Sequence, residues 1–312
     1  MQLRPRLPEE NGPKPRIPRG RSQFTAATGG RRNQVSDYTN IRYTSPMNND
    51  QLRAAAPSIF AERPWGQMSD RYAFIPTINI VEAMRKEGLV PYSAKQSVSR
   101  IEGKTEFTTH LIRFRDTRAA SQQLVVGNIY PELVLTNSHD GASRYSLAAG
   151  LYRLICGNGM MVSDGEFAAL KVMHVGDVSP VLNASFEVVK HFPTIMREVE
   201  HWQRVVLNRP QQLALAESAL ALKYDSDDDG KLHAPIAPGD LLTLRRSDDS
   251  FASLWNTHNT IQENLMKGGQ RGRAENGRRL RTRPVQAIAS DVKLNKALWA
   301  LSSKMAEMAA NN

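Results

Sequence analysis

The sequence predicts an α+β fold, an antiparallel β-sheet or meander in the first half packed by a C-terminal set of α-helices. Three observations carry that expectation. Runs rich in Val, Ile, Thr and Phe alternate along residues 89 to about 175. The dipeptides Asp140-Gly141 and Asn158-Gly159 are hairpin signals, since a tight two-residue turn needs positive φ, and they bracket one segment as a meander would. Beyond residue 180, apolar side chains recur at three- and four-residue spacing, the period of an amphipathic helix.

Each element follows in chain order. Residues 1–60 read as a disordered basic tail, mixing Pro, Gly and Arg with almost no apolar periodicity. Residues 61–312 read as a single domain, sheet-rich over 75–178 and helical over 180–310, with a mobile basic loop at 267–284. INIVEAMRKEG supplies Ile80, Val81, Met84 and a closing Gly88, a short helix. LVPYSAKQSVSRI and TEFTTHLIRFR are strands that EGK joins as a hairpin. In the second, Leu111, Arg113 and Arg115 share one face, and His110, Ile112 and Phe114 the other. YPELVLTNSHD is the next strand. Residues 143–155 fit a strand, but also a helix capped by Ser143 and stopped by Gly157. GEFAALKVMHVG adds a strand.

Pro193 opens a helix whose stripe is Ile195, Met196, Val199, Trp202 and Val206. Pro210 breaks it and QQLALAESALALKY resumes. DSFASLWNTHNTIQENLMKGG is a third helix, with Gly268 as its stop. The last, over 287–309, aligns Leu294, Leu298, Leu301, Met305 and Met308. That seam is too short for a coiled coil but suits core packing or homo-oligomerisation.

The chain has 312 residues, 40% of them hydrophobic, enough to bury a sizeable core. No run approaches the length of a membrane span, and no apolar stretch follows the basic N-terminus as a secretory signal would require. The single cysteine, Cys156, excludes an internal disulfide and a multi-cysteine zinc site. A cytoplasmic location without membrane contact is expected, and Cys156 is expected to pack as a small apolar residue.

Net charge is +10, and its placement is informative. Residues 1–36 hold eight Lys/Arg against Glu9 and Glu10, and residues 267–283 hold seven against Glu275, so the rest of the chain is slightly acidic. Cationic segments attract polyanions by releasing condensed counterions, and arginine forks suit phosphate. The candidate nucleic-acid contacts are Lys104, Arg113, Arg115, Arg118, Arg144 and Arg153 in the sheet half. Lys267, Arg271, Arg273, Arg278, Arg279, Arg281 and Arg283 are those of the Gly-Arg segment. A solvated face and a solubilising loop are the plainer readings of the same residues.

Catalytic signatures are weak. Ser138-His139-Asp140 is not a triad, because adjacent residues on a strand point to alternate faces. DSDDDGKLHAPI places Asp225, Asp227, Asp229 and Gly230 as a calcium loop would, but its twelfth position is Ile236 where a bidentate Glu is needed. There is no HExxH, CxxC, phosphate loop or GxGxxG. No catalytic residue, metal or cofactor is assigned.

LTNSHDGASRYSLAAGLYRLICGNGMMV resembles the signature of a family of bacterial, phage and plasmid proteins, domain of unknown function 932 (DUF932). The matching positions are Asn137, Ser138, His139, Asp140, Gly141, Arg153, Cys156 and Asn158. The likeness extends from RYAFIPTINIVEAMRKEGLVP through LWNTHNTIQENLMKGG and RTRPV to LNKALWALSSKMA. The family's β-type stretch favours a strand for 143–155. Its home on mobile elements implies a role in recombination, replication or transfer. With the charge pattern, that implies a protein that binds nucleic acid, single-stranded DNA foremost, without covalent catalysis. Two alternatives are a metal-dependent enzyme using His139, Asp140 and Asn158, and an interaction protein that blocks a host defence enzyme.

Overall fold

The structure is a computed structural model. It describes residues 38–42, 45–66, 74–118, 129–154, 158–162, 170–172, 177–230 and 232–310. The tail over 1–37 and Cys156 lie outside the described residues.

The expected tail does not extend to residue 60. Strand β1 (Tyr38–Arg42), helix α1 (Asn49–Ala55) and a 3-10 turn (Pro57–Phe60) precede the predicted domain. Asn48 caps α1 reciprocally: its side chain accepts from Gln51 N and its backbone N–H donates to Gln51 Oε1, both at 2.9 Å. Leu52, Ala55, Ala56 and Ile59 are fully buried beneath it. The Pro/Gly/Arg composition of the preceding stretch hides this short apolar pattern.

Helix α2 (Thr77–Lys86) leads into β2 (Leu89–Ser97), β3 (His110–Asp116), β4 (Ile129–Asn137), β5 (Tyr145–Arg153), β6 (Asn158–Met161) and β7 (Leu170–Val172). The strands form an antiparallel meander in the order β1-β2-β3-β4-β5-β6. β7 also pairs with β5, using Tyr145–Leu147, while β6 uses Gly150–Arg153. Residues 145–153 are therefore strand.

Three connections differ from expectation. The β2–β3 link spans 98–109 with a 3-10 turn at Thr105–Phe107, not the three residues EGK. The β4–β5 link spans 138–144, and of the Asp140-Gly141 pair only Gly141 has positive φ. Side-chain bonds shape it instead: Asp140 Oδ1 accepts from Ala142 N at 3.1 Å, and Ser138 Oγ from Ser143 N at 2.8 Å. Asn158 and Gly159 lie inside β6, opposite Arg153 and Tyr152, and so are not the two central residues of a hairpin turn.

The two sheet faces alternate as the sequence predicts. Ala94, Ile112, Phe114, Leu133, Leu135, Leu147, Ala149 and Leu151 belong to the main core with α1 and α2. Leu111, Val134, Ala148 and Met161 form a smaller layer that Ile288 of the last helix covers.

The helical half comprises α3 (Ser179–Lys190), α4 (Phe192–Arg204), α5 (Arg209–Ala221), the single turn α6 (Pro238–Leu241), α7 (Leu254–Lys267) and α8 (Ile288–Ala310). Trp202 of α4, Trp255 of α7 and Trp299 of α8 enclose His258, whose Nδ1 lies 2.8 Å from Ser302 Oγ. Burial holds His258 near a pKa of about 3, hence neutral. In α8, Leu294 and Leu298 pack into the chain's own core, while Met308 is exposed.

Candidate nucleic-acid interface

Where composition predicts a mobile loop, two strands form a ribbon: β8 (Arg271–Arg273) and β9 (Arg279–Arg281). The turn between them contains Asn276-Gly277. Gly277 takes φ 77°, Asn276 Oδ1 accepts from Arg278 N at 3.1 Å, and Ala274 N donates to Arg278 O at 2.9 Å. This is hairpin chemistry. The strands escape a search for alternating apolar residues because they alternate arginine with Gly272 and Leu280.

Register decides what the ribbon presents. Arg271 pairs with Arg281 and Arg273 with Arg279, and directly opposed residues share a face. All four arginines are exposed, and Gly272 and Leu280 turn the other way. Arg278 and Arg283, also exposed, flank them. Among the described residues no carboxylate pairs with any of these six; Glu275, the one acidic residue of the turn, engages His233 instead. Opposed like charges destabilise a two-stranded ribbon, so other contacts must hold it.

Those contacts lie on its back. Arg273 N donates to Pro235 O at 2.8 Å, and Gly269 N and Thr282 N continue the ladder to Thr282 O and Gln270 O, each at 2.9 Å. Gly272 is required here: a Cβ would sit 2.1 Å from Pro235 O. We expect Gly272→Ala to push the ribbon off residue 235, weakening any ligand of the arginine face while leaving the main unfolding transition within about 1 kcal/mol. Paired binding and urea-unfolding curves check this.

Beside Arg281 and Arg283 opens a cleft of about 630 Å³, reached also by Lys223 at the end of α5 and by Lys293 of α8. Sequence reasoning missed both lysines, since each lies in an ordinary helical pattern.

Six of the other predicted cations pair with carboxylates of the chain itself. Arg113 is 3% exposed; it and Arg115 grip Glu132 at 3.2 and 3.1 Å. The proposed charged sheet face is therefore largely neutralised by the adjoining strand, and Arg115 sits under Tyr92, Tyr130 and Tyr152 at 4.2–4.6 Å. Lys104 pairs with Asp140 at 3.3 Å, Arg118 with Asp116 at 2.5 Å, Arg153 with Asp249 at 2.6 Å and Lys267 with Glu263 at 2.7 Å. Arg144 is exposed in the β4–β5 link.

Two family-motif residues, Asn137 and His139, belong to a different object, a buried polar cluster with Ser58, Thr77 and His110. Ser58 Oγ lies 2.8 Å from His110 Nδ1; His110 Nε2 and His139 Nε2 each lie 3.0 Å from Thr77 Oγ1; Asn137 Nδ2 donates to the same oxygen at 3.1 Å. All five residues are fully buried. The cluster pins the 3-10 turn and α2 onto β3 and β4. Burial above all, then the neighbouring His139, holds His110 well below the ordinary histidine pKa. Asp140 contacts Lys104, and Asn158 pairs with Arg153 at the far end of β5, about 26 Å along the strand from Tyr145. The motif therefore does not bring His139, Asp140 and Asn158 into one site. Among the described residues no three His, Cys, Asp or Glu are placed to hold a metal ion, and no helix is long and apolar enough to cross a membrane.

A family profile described as "Domain of unknown function (DUF932)" matches residues 64–299. The UPF0380 protein YafZ of Escherichia coli (strain K12) is 37% identical over 266 residues, covering 85% of this chain and 93% of the relative. The UPF0380 protein YfjQ of the same strain is 36% identical over the same coverage. No solved structure matches the chain.

Proposed function

The chain belongs to the DUF932 family, and from that premise we propose that it binds nucleic acid, single-stranded DNA foremost, through the β8–β9 ribbon. The observation that carries this reading is the face of four exposed arginines, none paired with a carboxylate among the described residues. Such a face repels itself and is relieved by an anion with regularly spaced charges. A phosphate chain is that anion, and guanidinium forks match its oxygens. The reading places the protein in recombination, replication or transfer of a mobile element, acting by binding rather than by covalent chemistry.

The test is a salt titration of binding to a labelled single-stranded oligonucleotide. Four phosphate contacts give a slope of log K against log salt near −3, so affinity falls about fiftyfold from 50 to 200 mM salt. Absence of binding at 50 mM, or affinity indifferent to salt, defeats the reading.

A further inference from the structure

The cleft beside the ribbon carries the cations Lys223, Arg281, Arg283 and Lys293, and among the described residues its lining contains no Asp or Glu. Lys223 is the telling one. Among the described residues its Nζ donates to neutral oxygens, Leu265 O at 2.7 Å and Arg283 O at 3.0 Å. Burial lowers its pKa, the mark of an ammonium short of compensation. The rest of the lining is mixed: Tyr224, Leu280 and Val285 offer aromatic and aliphatic surface, and Thr282, Gln286 and Ser290 polar groups. A volume of about 630 Å³ lies in the range of small-molecule sites.

We infer that this cleft takes one nucleotide, its phosphate among the four cations and its base against Tyr224, Leu280 and Val285. Arg281 belongs to both the cleft and the ribbon face. A strand lying on the ribbon would therefore send one unstacked nucleotide into the cleft, which a closed duplex cannot do without losing a base pair. The inference rests on the proposed function for its strand, but a nucleoside monophosphate offers the same chemistry free of any strand.

The experiment uses the full chain and four probes: a single-stranded 15-mer, its duplex, thymidine 5′-monophosphate and inorganic phosphate. Lys293→Gln and Tyr224→Leu test the cleft, and Arg273→Gln/Arg279→Gln the ribbon. Lys293 is exposed and Arg273 and Arg279 are surface residues, so these variants are expected to fold; circular dichroism checks Tyr224→Leu. The cleft variants are expected to lower single-strand affinity about tenfold while sparing the duplex. The ribbon variant is expected to weaken both strands alike. The monophosphate is expected to compete better than phosphate, and Lys293→Gln to abolish the difference. Equal effects of the cleft variants on single strand and duplex, or none on either, overturn the cleft and leave the ribbon reading standing. Loss of all strand binding with Lys293-dependent monophosphate binding retained overturns the ribbon reading and supports the cleft. If neither strand nor monophosphate binds, both fall.

Discussion

Replacing Glu132 by Gln is expected to destabilise the fold by roughly 3–5 kcal/mol, the cost of breaking a buried ion pair from one side. Glu132 is 1% exposed and is the shared partner of Arg113 and Arg115. Arg113 also donates to Met160 O at 3.1 Å, in space that exists because residue 150 lacks a side chain: a Cβ on Gly150 would meet the Arg113 guanidinium at 2.9 Å. Removing the carboxylate's charge leaves a buried guanidinium facing an amide that competes as a donor. For a domain of this size the melting temperature should fall by roughly ten degrees. Because the penalty lies in the unpaired charge, Arg113→Met/Glu132→Leu, which leaves the less buried Arg115 as the one of the two arginines without its carboxylate, should recover part of the loss. Urea unfolding of the single and double variants measures both. A Glu132→Gln change below 0.5 kcal/mol, on the order of an ordinary surface substitution, contradicts the buried pair.

Acid is expected to unfold the protein through its histidines before its carboxylates are all protonated. His258 is neutral in the fold with a pKa of about 3, and His110 is likewise held well below normal. In the unfolded chain both bind a proton near pH 6.5. Above that pH neither state binds the proton, and the stability is unaffected. Below it the unfolded state gains protons that the folded state refuses, so each histidine removes up to about 1.4 kcal/mol per pH unit. For His258 the loss continues to about pH 3 and approaches about 5 kcal/mol. His258→Phe fills the site between the tryptophans without a proton acceptor. It should cost about 1 kcal/mol at pH 7, from the lost bond to Ser302, and show a shallower decline between pH 6 and 4. Urea midpoints at stepped pH read this directly, and parallel declines for the two proteins reject the assignment to His258.

Much of the architecture was legible in the residues. The alternation of His110–Arg115 gave the correct faces, and the caps and apolar stripes of α2, α4, α7 and α8 gave helices close to their observed spans. Residues 143–155 satisfy both periods, and the strand state of 145–153 is set by pairing with β4 on one side and β6 and β7 on the other, which lies outside any local window. Register was equally out of reach. The sequence places Arg113 and Arg115 on one face, but only register puts Glu132 beside them. A charge list therefore overcounts: six of the thirteen candidate cations hold internal carboxylates. The ribbon itself was signalled by Asn276-Gly277 between two short alternating runs, a pattern obscured because the alternating residue is arginine. In the Ser-His-Asp stretch His139 joins the buried brace to α2, while Ser138 and Asp140 shape the β4–β5 link.

The central claim is that the four-arginine face binds the phosphate chain. The most direct measurement compares the wild-type protein with Arg271→Gln/Arg273→Gln/Arg279→Gln/Arg281→Gln in the same salt titration on a single-stranded oligonucleotide. The account predicts an unchanged unfolding curve, affinity lowered at least about fiftyfold at 50 mM salt, and a salt slope moved from near −3 toward zero. A variant that binds as tightly as the wild type, with the same slope, contradicts it.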